Sequence, residues 1–207
     1  MGPKRAVVVM NLSDETKKIN VSLDAIGFEG QAKVYDCFTH QNKGNATGTI
    51  EVSIPAHGSC AYFVTGKRTE KHLYQAEEAY LNAYQELDLN NKNTPMWTLN
   101  DTADQGAYVI SLGKSEENYL EWPNVYSKKG GIYTLSIGYA TGDNRNLILS
   151  VNGGQTKYFY NLNSGDYHNK WKEVNVKVKL KKGFNKIRLS NPSQWMPNID
   201  YMKVKQG

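Results

Sequence analysis

A two-residue alternation near the C-terminus constrains the fold of this chain more than any other feature. In the segment WKEVNVKVKLKK, lysines at every second position from 177 to 181 alternate with Val176, Val178 and Leu180. Successive side chains of a β-strand point to opposite faces, so the pattern predicts a strand with one buried and one solvated face. The net charge is +5. We interpret these lysines as a solvated sheet face that protects an edge rather than as a nucleic-acid surface.

Strand-like segments separated by turns continue through the C-terminal two thirds of the chain. Turns rich in Gly, Asn and Asp separate short segments of β-branched and aromatic residues, which predicts an antiparallel sandwich of the jelly-roll type over residues 70–207. Seven further strands are predicted, at GAYVISLG, NYLEWPNVY, GGIYTLSIGYAT, RNLILSVNG, TKYFYNL, FNKIRLSN and NIDYMKV.

The N-terminal third predicts a second, smaller sandwich. The segments AVVVMNL, INVSLDAI, QAKVYDCF, TIEVSIPA and GSCAYFVTG read as strands, and THQNKGNATG reads as a loop. The polar stretch TGKRTEK at residues 65–71 predicts a boundary, which gives domains at 1–66 and 70–207. The whole chain is therefore predicted to be all-β: a small Greek-key sandwich, with partner strands expected upstream of Met1, followed by a jelly roll. Cys37 and Cys60 could form a disulfide or remain buried thiols, and spacing does not decide between them.

Several functional classes find no support in the residues. No apolar run approaches the roughly 18 residues of a membrane span, and the N-terminus lacks the character of a signal peptide. The four histidines are scattered, and none of the common nucleophile, phosphate-binding or dinucleotide-binding motifs is present. No pair of carboxylates stands out for glycoside chemistry, since Asp36 and Glu51 are ordinary strand residues beside turns. We therefore expect no enzyme activity from this chain by itself, and no nucleic-acid or membrane partner.

Residues 6–64 resemble the C-terminal β-sandwich domain of glycoside hydrolase family 27 α-galactosidases. The resemblance is carried by AVVVMNLSDETKKINVSL, AKVYDCFTHQNKG and VSIPAHGSCAYF, with the turn at Pro55–Gly58 as its most specific part. Cys37 beside Phe38 departs from the apolar residue and Trp common in that family. The resemblance implies a catalytic (β/α)₈ barrel upstream in the same polypeptide, because that domain flanks such a barrel and none of the barrel is in this sequence.

Residues 70–206 resemble a carbohydrate-binding module of family 35, which is close to family 6. Five motifs occur in order: YQAEEA, GAYVISLG, GGIYTLSIGYATGDNRNLILSVNG, WKEVNVKVKLKKGFNKIRLSN and PNIDYMKV. The resemblance implies binding to a galactose-containing or uronic-acid-containing polysaccharide, in a protein that is secreted, periplasmic or at the cell surface. The alternative is a structural or protein-interaction module with no sugar binding of its own.

The family resemblance also implies a structural Ca²⁺ ion, held by Gln75, Glu77 and Asp200 with a backbone carbonyl near Trp97–Asn100. Calcium takes six to eight oxygen ligands, which carboxylates, amides and carbonyls can supply. The family usually has Glu where this chain has Gln75, so one negative charge is missing. On this interpretation YQAEEAYL is a strand at least through Ala79, and residues 75 and 77 point to the same side. Glu77 as an ordinary solvated residue is the alternative.

The sugar site is expected in the loops at the sandwich edge. In this family an aromatic ring stacks on a pyranose while amides fix its hydroxyl groups. The resemblance assigns Asn191 and Trp195, in the loop SNPSQWMPN, and a second aromatic, Tyr167, in NSGDYHNKW. Trp122, in contrast, is expected to be buried.

Overall fold

The computed structural model describes residues 4–83 and 94–207 and divides the chain into two compact units, Met1–Lys71 and His72–Gly207. Both units consist of antiparallel β-sheets, and the described residues contain no α-helix. The all-β class predicted from the alternation is therefore confirmed. The division falls at the end of the TGKRTEK segment because the last strand of the first unit continues to Arg68. No helix in the described part of the chain is long and apolar enough to cross a membrane.

The first unit is built from one sheet of six strands in the order β1-β6-β3-β4-β5-β2. Its core contains Phe28, Val34, Ile54 and Val64, of which Val34 and Ile54 lie between exposed residues on their strands. The strands are β1 (Lys4–Met10), β2 (Lys17–Ser22), β3 (Phe28–Asp36), β4 (Gln41–Thr47), β5 (Thr49–Ile54) and β6 (Ser59–Arg68).

One prediction for this unit was wrong: THQNKGNATG is not a loop, because β4 lies within it. Almost every residue of β4 is exposed, so the strand has no apolar alternation to reveal it. Its backbone pairs with β3 across a register shift near Val34 and Tyr35. The two cysteines are free thiols. The backbone N–H of Cys37 bonds to Ala61, the neighbour of Cys60 in β6. The backbone of Cys37 therefore pairs with the neighbour of Cys60 and not with Cys60 itself.

The second unit has two sheets that enclose one core. The first runs β15-β12-β17-β10-β9, with β7 also paired to β17, and the second runs β14-β13-β16-β11-β8. All eight predicted strands are present; β7 is shorter than the strand predicted through Ala79, and the short strands β8 and β9 were not predicted. The strands are β7 (Leu73–Gln75), β8 (Tyr80–Leu81), β9 (Met96–Leu99), β10 (Ala107–Ile110), β11 (Leu120–Ser127), β12 (Gly131–Ala140), β13 (Arg145–Val151), β14 (Gln155–Leu162), β15 (Lys172–Leu180), β16 (Gly183–Ser190) and β17 (Asn198–Gln206).

The inward-facing residues of both sheets form the core of the second unit. Leu135 and Ile137 from β12 pack opposite Leu147 and Leu149 from β13, and all four are fully buried. Burial of apolar surface on this scale is the main favourable contribution to folding. In β15 the lysines are exposed and the apolar residues between them face inward, as the alternation predicted. Trp122 is buried, also as predicted.

The prediction of a strand through Ala79 was wrong. β7 ends at Gln75, and the backbone N–H of Ala79 donates to the carbonyl of Ala76 in a turn. Two contacts hold the end of β7 in place: Trp122 Nε1 donates to the carbonyl of Gln75 at 2.9 Å, and the N–H of Ala76 donates to the carbonyl of Asp200 at 2.8 Å. Glu77 therefore projects from a turn and not from a strand.

Candidate functional site

A cavity of about 240 Å³ opens among the loops at one end of the second unit. Two of the three residues predicted to bind sugar, Tyr167 and Trp195, lie in its wall. Loop residues and strand ends contribute the rest of the wall, which is partly aromatic and partly polar. The lining consists of Ile110, Ser111, Arg145, Tyr167, His168, Trp195 and Asn198.

Trp195 is held in the wall by backbone pairing between two loops. It forms an isolated β-bridge with Gly113, and the N–H of Met196 donates to the carbonyl of Leu112 at 2.9 Å. A Cβ at position 113 would lie 2.5 Å from the carbonyl oxygen of Gln194, and its φ is +95°. Only glycine fits both the space and the backbone angle there. Lys114 Nζ lies 5.2 Å from the centre of the Trp195 ring, within cation–π range.

Tyr167 lies against a second glycine. A Cβ at Gly142 would be 2.6 Å from Cε2 of the Tyr167 ring, so the ring occupies space that any other residue would fill. The guanidinium of Arg145 lies 4.9 Å from the centre of the same ring. Asn198 Nδ2 donates to the carbonyl of Tyr167 at 2.7 Å, which fixes the backbone. The ring therefore has one defined place in the wall.

The polar residues of the cavity are also held by hydrogen bonds. Arg145 donates from Nη1 to the carbonyl of Met196 at 2.9 Å and from Nε to Oδ1 of Asp143 at 2.7 Å. Burial acts to raise the pKa of Asp143, but hydrogen bonds from Thr141 and Arg145, together with the Arg145 charge, lower it overall. His168 Nδ1 lies 2.5 Å from the hydroxyl of Tyr108. The cavity thus combines aromatic rings with pre-oriented donors.

Sequence reasoning missed Arg145, His168, Asn198 and Ser111. Arg145 opens β13 and Asn198 opens β17, so both looked like ordinary residues at strand ends. His168 directly follows Tyr167 in the same loop. Of the four missed residues, it is the one whose position in the sequence could have indicated a place in the site.

Asn191 does not line the cavity, because its side chain is buried against the backbone of its own loop. Its side chain is 3% exposed. Oδ1 accepts hydrogen bonds from the backbone N–H of Ser193 and Gln194, both at 3.2 Å, and Nδ2 donates to the carbonyl of Asn146 at 3.2 Å. Asn191 therefore shapes the loop that carries Trp195.

The predicted calcium ligands gather at a different place, around the end of β7. Gln75 Nε2 donates to Oδ2 of Asp104 at 2.6 Å, and the backbone N–H of Asp104 donates to Oδ2 of Asp200 at 3.0 Å. Gln75 and Asp200 are almost fully buried. Asp104 lies in a short 3₁₀ turn before β10 and was not among the predicted ligands. The carbonyl expected near Trp97–Asn100 stays a prediction.

Three buried oxygens at this place have no hydrogen-bond donor in the described part of the chain: Gln75 Oε1, Glu77 Oε2 and Asp200 Oδ1. Burial, with Asp200, Glu78 and Asp104 nearby, raises the pKa of Glu77 to about 7. Burial, with Asp104 nearby, raises the pKa of Asp200 to about 6. Unpaired buried carboxylates are costly, and a bound cation would remove that cost.

The donor set is oxygen only, which suits a hard cation such as Ca²⁺. Within residues 4–83 and 94–207, no three side chains of His, Cys, Asp or Glu gather closely enough to hold a metal by themselves. A cation at this place would therefore need the amide oxygen of Gln75 and backbone carbonyls in addition to the carboxylates.

Comparison with known proteins found similarity to a protein family and to several solved structures. Residues 2–64 match the family described as the alpha galactosidase C-terminal beta sandwich domain. Among solved structures, the chain is similar to a family 35 carbohydrate-binding module from Clostridium thermocellum, with 27% identity, 65% of this chain and 98% of that chain covered, and a TM-score of 0.57. These matches confirm the combination of domains expected from the sequence. No curated protein matches the chain.

Two enzymes are also similar over part of their length. An exo-β-1,3-galactanase from Phanerochaete chrysosporium, solved with galactose, has 26% identity over 64% of this chain, with a TM-score of 0.54. An isomalto-dextranase from Arthrobacter globiformis, complexed with panose, matches 99% of this chain at 18% identity with a TM-score of 0.57, which shows the fold alone. The chain spans 28% and 35% of these two proteins. Each unit is thus similar to a β-sandwich domain found in carbohydrate-associated proteins.

Proposed function

We propose that the second unit binds a galactose-containing or uronic-acid-containing glycan in the cavity lined by Tyr167 and Trp195. The observation that carries this proposal is the meeting of two aromatic side chains, distant in sequence, in one small cavity whose wall also carries polar groups. Flat rings beside fixed donors suit the recognition of a pyranose, whose C–H face is apolar and whose edge carries hydroxyl groups. The similarity to carbohydrate-binding modules supports the same class of ligand.

Each lining residue has a separate part in this binding. Trp195 and Tyr167 stack on the apolar face of the sugar. Ser111, His168 and Asn198 offer hydroxyl, imidazole and amide groups to the sugar hydroxyls. Arg145, held by Asp143 and the carbonyl of Met196, supplies the positive charge that a uronate carboxylate would meet.

We propose further that Gln75, Glu77 and Asp200 hold a structural Ca²⁺ ion. The three unpaired oxygens support this assignment. When bound, the ion neutralises buried carboxylates and links the turn after β7 to β17. The Gln75 amide uses its nitrogen on Asp104 and leaves its oxygen for the ion. With one carboxylate fewer than the family usually has, we expect a weaker site.

In this proposal the chain is the non-catalytic portion of a secreted glycoside hydrolase similar to α-galactosidases, with the catalytic barrel elsewhere in the polypeptide. The match of residues 2–64 supports this context. Binding at one shallow site is expected to be weak, and the benefit to the enzyme comes from a higher effective concentration near the polysaccharide. An α-galactosidase assay of this chain alone is expected to show no activity.

Trp195→Ala tests the site. We expect the variant to lose retention on a glycan array while its thermal unfolding stays close to that of the wild type, because Trp195 lies in a loop and only part of it is buried. Trp97→Ala is the matched control, since Trp97 is 52% exposed and lies outside the cavity. Unchanged retention by Trp195→Ala would contradict the assigned site. No retention by the wild type would favour a structural module.

A further inference from the structure

Two exposed tyrosines on β14 have no part in the cavity. Tyr158 and Tyr160 are 58% and 67% exposed, and their ring planes differ by only 7° with centres 6.3 Å apart. They stand two residues apart on a strand, so they share one face of the sheet. β14 is the edge strand of the sheet β14-β13-β16-β11-β8. The edge therefore presents two parallel aromatic rings to solvent.

Strand register shows that this face continues across the whole sheet. Leu149, Leu189 and Leu120 are directly paired and fully buried, so the positions on either side of this row point outward. One outward row carries Tyr158, Ile148 and Ser190, and the other carries Thr156, Ser150, Arg188, Glu121 and Tyr80.

The middle of this face is polar and ordered. Arg188 donates from Nε to Oε2 of Glu121 at 3.0 Å, and its guanidinium lies 3.7 Å from the centre of the Tyr119 ring. At the far edge Tyr80 is exposed, with its ring centre 6.4 Å from that of Tyr119. Aromatic rings thus occur at both edges of the sheet, with hydrogen-bonding groups between them. Four strand spacings of roughly 4.8 Å make the face about 19 Å wide.

The charges on this face nearly cancel. Glu121 pairs with Arg188 at 2.9 Å and also lies 3.6 Å from Lys186 Nζ, which leaves one net positive charge across these three groups. The alternating lysines of β15 belong to the other sheet. A face with little net charge, aromatic rings and fixed polar groups complements an uncharged chain rich in hydroxyl groups. It does not complement a polyanion such as a nucleic acid.

From this arrangement we propose that the outward face of the β14-β13-β16-β11-β8 sheet is a second glycan-binding surface, which takes an extended, uncharged polysaccharide chain across the strands. Tyr158 and Tyr160 stack on sugar rings at one edge, and Arg188, held by the buried Glu121, meets hydroxyl groups in the middle. The surface shares no residue with the cavity. The class of ligand rests on the proposed function, whereas the position of the surface does not. Two linked contacts on one polymer strengthen its retention beyond either contact alone.

The test is affinity electrophoresis of the full chain through gels that contain β-1,3-galactan, dextran or polygalacturonate. The wild type is expected to bind one of the neutral polymers. We expect the affinity of the double variant Tyr158→Ala/Tyr160→Ala for that polymer to be lower by about tenfold or more, because one of two linked contacts is lost. Tyr158→Phe/Tyr160→Phe keeps both rings and is expected to bind like the wild type. Both tyrosines are exposed, so the variants are expected to fold.

Calorimetry with galactose separates this surface from the cavity. The double alanine variant should bind galactose as the wild type does, whereas Trp195→Ala should not. Equal retention of the wild type and the double alanine variant on every polymer would contradict the proposed second binding surface. Retention on polygalacturonate alone would contradict it as well. A dimer in solution that the double alanine variant converts to a monomer would also overturn it, because the face would then be a protein interface.

Discussion

A single glycine decides where one wall of the cavity in the second unit lies. The Tyr167 ring occupies the space where a Cβ on Gly142 would stand, and the Arg145 guanidinium lies 4.9 Å from the ring centre. Neither residue is near Tyr167 in the sequence. The cavity is therefore sensitive to a change of one methyl group at a position that makes no contact through its own side chain.

Gly142→Ala is expected to weaken galactose binding several-fold without unfolding the chain. The new Cβ would lie 2.6 Å from the ring, so Tyr167 must move out of its place. Gly154→Ala is the control, because a Cβ there has no atom within 4 Å. Calorimetry with galactose and a thermal melt of both variants measure the effect. Equal galactose affinity of both variants would show that the position of Tyr167 does not matter for binding.

At the scale of elements, the turn after β7 brings Glu77 to the buried carboxylates. The sequence argument placed residues 75 and 77 together because both were assigned to one strand. In the structure the two residues are close because the strand ends at Gln75 and the following turn carries Glu77. Asp104 joins them from the loop before β10, a contact across 29 positions that no local pattern reveals.

The raised pKa values of Glu77 and Asp200 predict an unusual response of stability to pH. In EDTA, the folded chain keeps protons on these groups up to about pH 7 and pH 6, whereas the unfolded chain releases them near their ordinary values of 4.5 and 3.8. The free energy of unfolding should therefore fall as the pH rises from about 4 to 7. Added Ca²⁺ competes with these protons, so the increase in Tm that it causes should grow over the same range.

Thermal melts at several pH values, with EDTA or with CaCl₂, measure this response. Glu77→Gln should reduce both the pH dependence and the effect of calcium, whereas Glu116→Gln, at an exposed position outside this cluster, serves as the control. A Tm that calcium does not change at any pH would speak against a cation at this place.

At the scale of the whole molecule, each unit has its own hydrophobic core. The core of the first unit is formed by residues between Val7 and Val64, and that of the second by residues between Tyr74 and Val204, with none in common. Since each core is buried within its own sheets, each unit has the means to unfold as a separate cooperative transition.

Two matched core substitutions test this independence. Leu23→Ala and Leu149→Ala each remove a fully buried side chain, from the first and the second unit respectively, at an expected cost of about 2–5 kcal/mol. Calorimetric unfolding should show two transitions, of which each variant lowers one. Calcium should raise only the transition that Leu149→Ala lowers. One transition that both variants shift alike would show that the chain unfolds as a unit.

The sequence by itself determined the all-β class and the eight main strands of the second unit, because a half-buried strand requires side chains that alternate between apolar and polar. It could not reveal β4, whose residues are nearly all exposed and whose pairing rests on the backbone. It also directed attention to Tyr167 and Trp195, through their place in loops of a family pattern.

Only the tertiary structure decided which of the predicted site residues meet. It brought Tyr167 and Trp195 together with Arg145 and turned Asn191 away into its loop, because loop geometry depends on close contacts such as those at Gly113 and Gly142. The aromatic face at Tyr158 depends likewise on strand register across five strands. Alternation fixes the face to which each residue points, but the neighbours on that face come from strands far apart in the chain.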